Sequence, residues 1–122
     1  MTRILITGSR DWTNHALIVR ELTAQYMETP DAILVSGGCP SGADRFCEEI
    51  WVNLGGTIEV HPADWTLGRG AGILRNQQMV DLGADVCFAF RKNYSRGTTH
   101  CANAATMAGI PTYWFTEDEE DE

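Results

Sequence analysis

The 122-residue sequence contains one lysine, Lys92, against eight arginines. It has no Cys-x-x-Cys pair among Cys39, Cys47, Cys87 and Cys101, so neither a zinc site nor a disulfide framework is expected. No apolar run approaches the roughly 20 residues of a membrane span. Arg3 is followed by only three apolar residues before Thr7-Gly8, so a signal peptide is not expected, and the chain is expected in the cytoplasm. Two common nucleotide loops are also missing. Gly37 and Gly42 have P-loop spacing, but Ala43-Asp44 stands where that motif needs Lys-Ser or Lys-Thr, which excludes an ATPase of that type. The first apolar run ends in Gly8-Ser9-Arg10-Asp11-Trp12, which is not GxGxxG, and the second ends in Ser36 where a dinucleotide fold carries its ribose-binding acid.

The formal net charge is −8, yet six acids fall in Glu117–Glu122. The body therefore carries 11 acids against 9 bases, and residues 116–122 are expected to form a solvated, disordered tail. Arginine suits bidentate contact with phosphate or carboxylate. Arg10, Arg69, Arg75, Arg91 and Arg96 all lie in or beside glycine-containing segments.

Five short apolar runs, Arg3–Thr7, Ala32–Ser36, Thr57–His61, Asp85–Phe90 and Pro111–Phe115, alternate with four helical patterns. In the first helix Ile18, Leu22 and Tyr26 recur every four residues, and Thr13 or Asn14 is placed to cap it. In the second, Ala43, Phe46, Cys47, Ile50, Trp51 and Leu54 form a clear apolar stripe, and Trp51 is expected to pack in the core. In the last, Cys101, Ala104, Ala105 and Ala108 form a seam of small residues. This β-α alternation over 1–115 predicts one α/β domain: a Rossmann-like, three-layer fold with a five-stranded parallel sheet and helices on both faces.

In such a sheet all strand-to-helix loops emerge at the carboxyl edge, where ligands bind as strand order reverses. The loops on that edge contain glycine together with arginine or polar residues, whereas the opposite loops are plainer. Ser36-Gly37-Gly38-Cys39-Pro40-Ser41-Gly42-Ala43-Asp44 reads as a phosphate cradle opening a helix. Asp44, in the first turn, is expected either to complement its own helix dipole or to touch ligand. Polar Arg75-Asn76 follows Gly72 on a helix that must also cover the sheet. No metal and no resident cofactor are expected; the expected partner is a small anionic, phosphate-bearing ligand.

Through Gly8-Ser9-Arg10-Asp11-Trp12, Ser36-Gly37-Gly38 with Gly42-Ala43-Asp44, Ala71–Met79 and Gly97-Thr98, the chain resembles the SLOG superfamily, and within it the small YspA/YpsA-related group. The likeness covers all but the acidic tail. It implies a Rossmann-like fold and binding of a nucleotide or nucleotide-derived ligand, as a binding or sensor domain. Ligand contacts are expected from Gly8, Ser9, Arg10, Trp12, Ser36, Gly37, Gly38, Gly42, Ala43, Asp44, Gly72, Arg75, Asn76, Gly97 and Thr98. Superfamily relatives include the lonely-guy phosphoribohydrolases, whose association implies a homodimer, and the single-stranded-DNA-binding DNA-processing protein A.

An alternative reading is therefore hydrolysis of a nucleotide N-glycosidic bond. Arg75–Met79 is similar to the lonely-guy Arg-Lys-x-x-Met stretch, and Gly97-Thr98 matches the end of their Pro-Gly-Gly-x-Gly-Thr-x-x-Glu motif. However, Asn93-Tyr94-Ser95 replaces Pro-Gly-Gly, and the glutamate position falls on Cys101. A thiol does not replace a carboxylate in that chemistry. For this reading Arg75 and Asp64 are the candidate catalytic residues, with Asp11 and Asp44 the other acids of the edge loops. A Cys101–His100 nucleophile is a further option. Single-stranded nucleic-acid binding, with Trp12 and Trp65 stacking on bases, is opposed by a pI near 4.7.

Overall fold

The computed structural model describes residues 2–117. The apolar runs become strands β1 (Arg3–Gly8), β2 (Ile33–Ser36), β3 (Thr57–Val60), β4 (Val86–Arg91) and β5 (Thr112–Thr116). Helices α1 (His15–Glu28), α2 (Gly42–Asn53), α3 (Ala71–Asp81) and α4 (Arg96–Met107) alternate with them, and a short 3-10 turn, Trp65–Leu67, precedes α3. The strands form one open, all-parallel sheet in the order β3-β2-β1-β4-β5. This is the expected Rossmann-like α/β architecture.

Parallel strands covered on both faces read as continuous apolar runs, as the central strands β1, β2 and β4 do, while the edge strands β3 and β5 are half-buried or exposed. Ile4, Ile6, Leu34, Phe88 and Phe90 pack on one face with Ile18 and Leu22 of α1 and Cys47 and Trp51 of α2. Leu5, Val35 and Cys87 pack on the other with Met79 and Val80 of α3 and Cys101 and Ala105 of α4. The small seam of α4 lets that helix lie close to the sheet. Asn14 caps α1 by accepting the Leu17 N–H at 3.1 Å. Trp51 is fully buried, as expected, and its indole N–H donates to the Ala32 carbonyl at 3.3 Å. Among the described residues no helix is long and apolar enough to cross a membrane.

The chain end departs from the expected boundary at 115. Strand β5 includes Thr116, paired in register with Arg91. Glu117 is also held. Its Oε1 accepts the Thr13 N–H at 2.7 Å and the Thr13 hydroxyl at 2.9 Å, and lies 3.3 Å from the Lys92 ammonium. The first acid of the run is thus part of the fold because it meets the sole lysine and an otherwise open loop N–H. The remainder of the expected tail, 118–122, lies outside the described residues.

Strand order reverses between β1 and β4, so the connections leaving these two strands diverge and open a crevice at the carboxyl edge of the sheet.

Candidate ligand-binding crevice

A crevice of about 780 Å³ occupies this edge, and all four strand-to-helix connections contribute to its walls. Gly8, Arg10 and Asp11 come from the β1–α1 loop, and Gly37, Gly38, Cys39, Pro40 and Asp44 from the β2–α2 loop. The β3–α3 segment adds Pro62, Ala63, Trp65, Arg69, Gly72, Arg75 and Asn76. Ser95, Gly97 and Thr98 close it from the start of α4. None of the helix-to-strand connections reaches it. The volume is that of an ordinary small-molecule site.

Arg75 is fixed by the backbone around it. Its Nη1 donates to the Gly37 carbonyl, and to the His61 carbonyl at 3.2 Å. Its Nε donates to Asn76 Oδ1 at 2.9 Å, while Asn76 Nδ2 donates to the Gly97 carbonyl at 3.2 Å. This chain of bonds links the ends of β2 and β3 to the start of α4 through one arginine–asparagine pair. A Cβ at position 37 would lie 2.6 Å from Arg75 Nη1, so only glycine admits the guanidinium there. Nη2 has no protein acceptor among the described residues. Arg10 crosses the mouth from the β1 loop, its guanidinium carbon 5.7 Å from the ring centroid of Trp65, which is 55% exposed.

Asp44 is only 6% exposed. Its Oδ2 accepts the Cys39 N–H at 3.1 Å. Burial pushes its carboxyl up to about 6, against the pull of the Cys39 N–H, Arg75 and Arg10 and with a further push from Glu48.

Several expected ligand contacts turn out to build the crevice instead of lining it. Ser9 ties the β1 loop to the end of β4: its N–H donates to the Phe90 carbonyl at 2.9 Å, and its Oγ accepts the Lys92 N–H at 2.8 Å. Ser36 Oγ donates to Glu48 at 2.7 Å and accepts the Gly38 N–H at 3.1 Å. Gly42 has φ +70°, and a Cβ there would lie 2.3 Å from the Ser9 carbonyl oxygen. Ala43 is buried and donates its N–H to that oxygen at 3.1 Å. Gly42-Ala43 is therefore small because α2 starts directly against the β1 loop. The N–H groups of Gly38, Cys39 and Ala43 are all engaged internally, so this loop is less open to an anion than its glycines suggest.

Trp12 is 2% exposed, packs edge-on against Phe90 at 5.6 Å, and donates its indole N–H to the Asn14 carbonyl at 3.0 Å. It belongs to the core, and Trp65 is the tryptophan that faces the crevice. Asp64 caps the 3-10 turn, accepting the Thr66 N–H at 3.1 Å and the Thr66 hydroxyl, and does not line the crevice. Of the residues expected to contact ligand, Gly8, Arg10, Gly37, Gly38, Asp44, Gly72, Arg75, Asn76, Gly97 and Thr98 line the crevice.

The Cys101 thiol is fully buried, and burial pushes it up to about 11, with a hydrogen bond to Thr7 acting the other way. His100 instead lines a separate surface groove with Gln77, Asn103 and Met107. No Cys–His nucleophile is assembled from this pair. Among the described residues no three His, Cys, Asp or Glu side chains gather to hold a metal ion.

A model of the YspA, cpYpsA-related SLOG family matches residues 2–68, more than half of the chain. The chain belongs to that family. The matched span holds β1 to β3 and the crevice walls as far as Gly68; Arg75, Asn76, Gly97 and Thr98 lie beyond it. Similarity to a phage protein covers more of the chain. The chain is 40% identical to the Gene 61 protein of Mycobacterium phage D29, over 94% of this chain and 97% of that protein. No solved structure matches.

Proposed function

We propose that this SLOG-family domain binds a small nucleotide-derived ligand in the crevice, as a binding or sensor module. The observation that carries the reading is the convergence of Arg10, Arg75 and the exposed indole of Trp65 on one crevice at the strand-order reversal. Arginines supply charge-assisted bonds to a phosphate, and an indole supplies a stacking face for a base. With the β2–α2 loop largely bonded to itself, the phosphate is assigned to Arg10, to Nη2 of Arg75 and to the first turn of α4. A helix N-terminus offers N–H groups without intrahelical acceptors and a favourable dipole for an anion. A bounded crevice in an acidic chain supports a small ligand over a nucleic-acid strand, which needs a continuous basic track.

Calorimetric titration with AMP, ADP-ribose and inorganic phosphate tests this. At least one nucleotide is expected to bind, and Arg10→Ala to weaken it about tenfold, the loss of one charge-assisted hydrogen bond. Absence of binding by all three, or binding indifferent to Arg10→Ala, would overturn it.

A further inference from the structure

The wall of the crevice opposite in character to its arginines is a single buried carboxylate. Asp44 is nine-tenths buried yet lines the cavity. One oxygen, Oδ2, takes the Cys39 N–H at 3.1 Å, while Oδ1 has no protein donor among the described residues. Oδ1 is not sealed inside the protein but open to the crevice, where a ligand can supply its donor. A phosphate is disfavoured as that group, because it sets a second negative charge beside the carboxylate. A cationic ligand group is disfavoured by Arg10, Arg69 and Arg75 in the same crevice. What remains is a neutral donor. In a nucleotide the sugar joins the base to the phosphate, so an acceptor that shares a cavity with the Trp65 ring and the Arg10 and Arg75 guanidinia is suited to the sugar.

We propose that Asp44 recognises the vicinal hydroxyls of a ribose through Oδ1, making the crevice selective for ribonucleotide-type ligands over deoxy and dideoxy analogues. The assignment rests on the nucleotide reading above and adds the sugar to it. It gives Asp44 a role distinct from the arginines. They hold charge, and Asp44 discriminates. A site built to bond a hydroxyl rejects the analogue that lacks it, because its own polar group is then left unpaired.

The discrimination also carries a pH dependence. The groups acting on Asp44 are Arg10 from the β1 loop, Arg75 from α3, Glu48 from its own helix and the Cys39 N–H. Its charge also bears on the buried thiols of Cys47 and Cys101, both raised by burial and neutral near pH 7. Asp44 is ionised at pH 8 and largely protonated at pH 5. Protonation removes the full negative charge that strengthens the bond to a hydroxyl, so selectivity falls as the pH is lowered.

The test is calorimetric titration of AMP and 2′,3′-dideoxy-AMP against wild type and Asp44→Asn, at pH 8 and pH 5, with circular dichroism to confirm that the variant is folded. Wild type is expected to prefer AMP by about tenfold at pH 8 and by clearly less at pH 5. Asp44→Asn is expected to bind the two nucleotides within about threefold of each other at pH 8. Equal affinities in wild type would overturn the Asp44 assignment and leave the nucleotide reading standing. A full preference retained by folded Asp44→Asn, or one unchanged at pH 5, would also overturn it. Failure of both nucleotides to bind wild type would overturn the Asp44 assignment, and the nucleotide reading falls with it only when ADP-ribose and inorganic phosphate fail as well. The comparison of ligands in wild type needs no variant, so a misfolded Asp44→Asn does not remove the test.

Discussion

Arg75 on α3 donates one guanidinium nitrogen to two carbonyls, those of Gly37 after β2 and His61 after β3. One side chain thus ties together the carboxyl ends of two adjacent strands while lining the crevice. The structural role and the proposed ligand-binding role fall on the same side chain here, so the two must be separated by experiment. Arg75→Ala is expected to lower stability by about 3 kcal/mol, since it leaves two buried-edge carbonyls and Asn76 without their donor. Arg10→Ala, which breaks no hydrogen bond of the Arg10 side chain among the described residues, is expected to leave the melting temperature nearly unchanged while weakening the nucleotide. Thermal melts of the two variants side by side check this, and equal destabilisation would count against it.

Asp44 is placed at a cost to the fold. Burial raises its carboxyl to about 6 from an ordinary 3.8, so the folded chain holds this proton to higher pH than the unfolded chain does. Stability from this group therefore falls as pH rises from about 4 to about 6, and the deficit persists above that. The gap corresponds to about 3 kcal/mol at pH 8. Asp44→Asn is expected to melt several degrees above wild type at pH 8 and to lose that advantage near pH 4. Melts across that range measure it; no gain at pH 8 would argue that Asp44 is not desolvated.

Trp65 has little structural burden, its ring being more than half exposed. Trp65→Ala is expected to cost about 1–3 kcal/mol of nucleotide binding through lost stacking and to leave the melting temperature within about a degree. Inorganic phosphate, which has no base to stack, is expected to bind both proteins alike. Equal loss for phosphate would show that Trp65 acts through Arg10.

Glu117 is half of the only lysine's ion pair. Burial raises its carboxyl, but the Thr13 N–H and hydroxyl and the Lys92 ammonium outweigh this and hold it below the usual carboxylate range. A carboxyl depressed in the fold contributes stability above its unfolded value, and that stability is lost as pH falls through the folded value. Glu117→Gln is therefore expected to destabilise by about 1 kcal/mol at pH 7 and to approach wild type near pH 3. Denaturant midpoints at the two pH values read the difference.

The strands were legible because burial on both faces writes itself as short apolar runs, and Arg75-Asn76 stood out as polar residues on a helix that must cover a sheet. Glycine was a weaker guide. Gly42-Ala43 is small so that α2 can start against the Ser9 carbonyl, and a ligand loop would call for the same residues. Trp12 and Trp65 read alike as stacking candidates in the sequence, and only Trp65 reaches the crevice. Trp12 stands two residues before the Asn14 cap, where an apolar residue packs under the helix start, whereas Trp65 has only Leu67 as a nearby apolar neighbour before the glycines and arginine of 68–70. Asp64 followed by Thr66 is a local capping pattern, and that explains why it turns away from the crevice. The Arg10–Trp65 contact joins segments some 55 positions apart, and no local pattern announces it.

The central claim is that the carboxyl-edge crevice holds a nucleotide by its phosphate and base. A crystal structure of the protein with AMP at saturating concentration tests it most directly. The account predicts density for the phosphate between Arg10, Arg75 and the first turn of α4, with the base against Trp65 and the ribose hydroxyls at Asp44. An empty crevice in a crystal whose protein binds AMP in solution, or AMP seated elsewhere on the molecule, would contradict it.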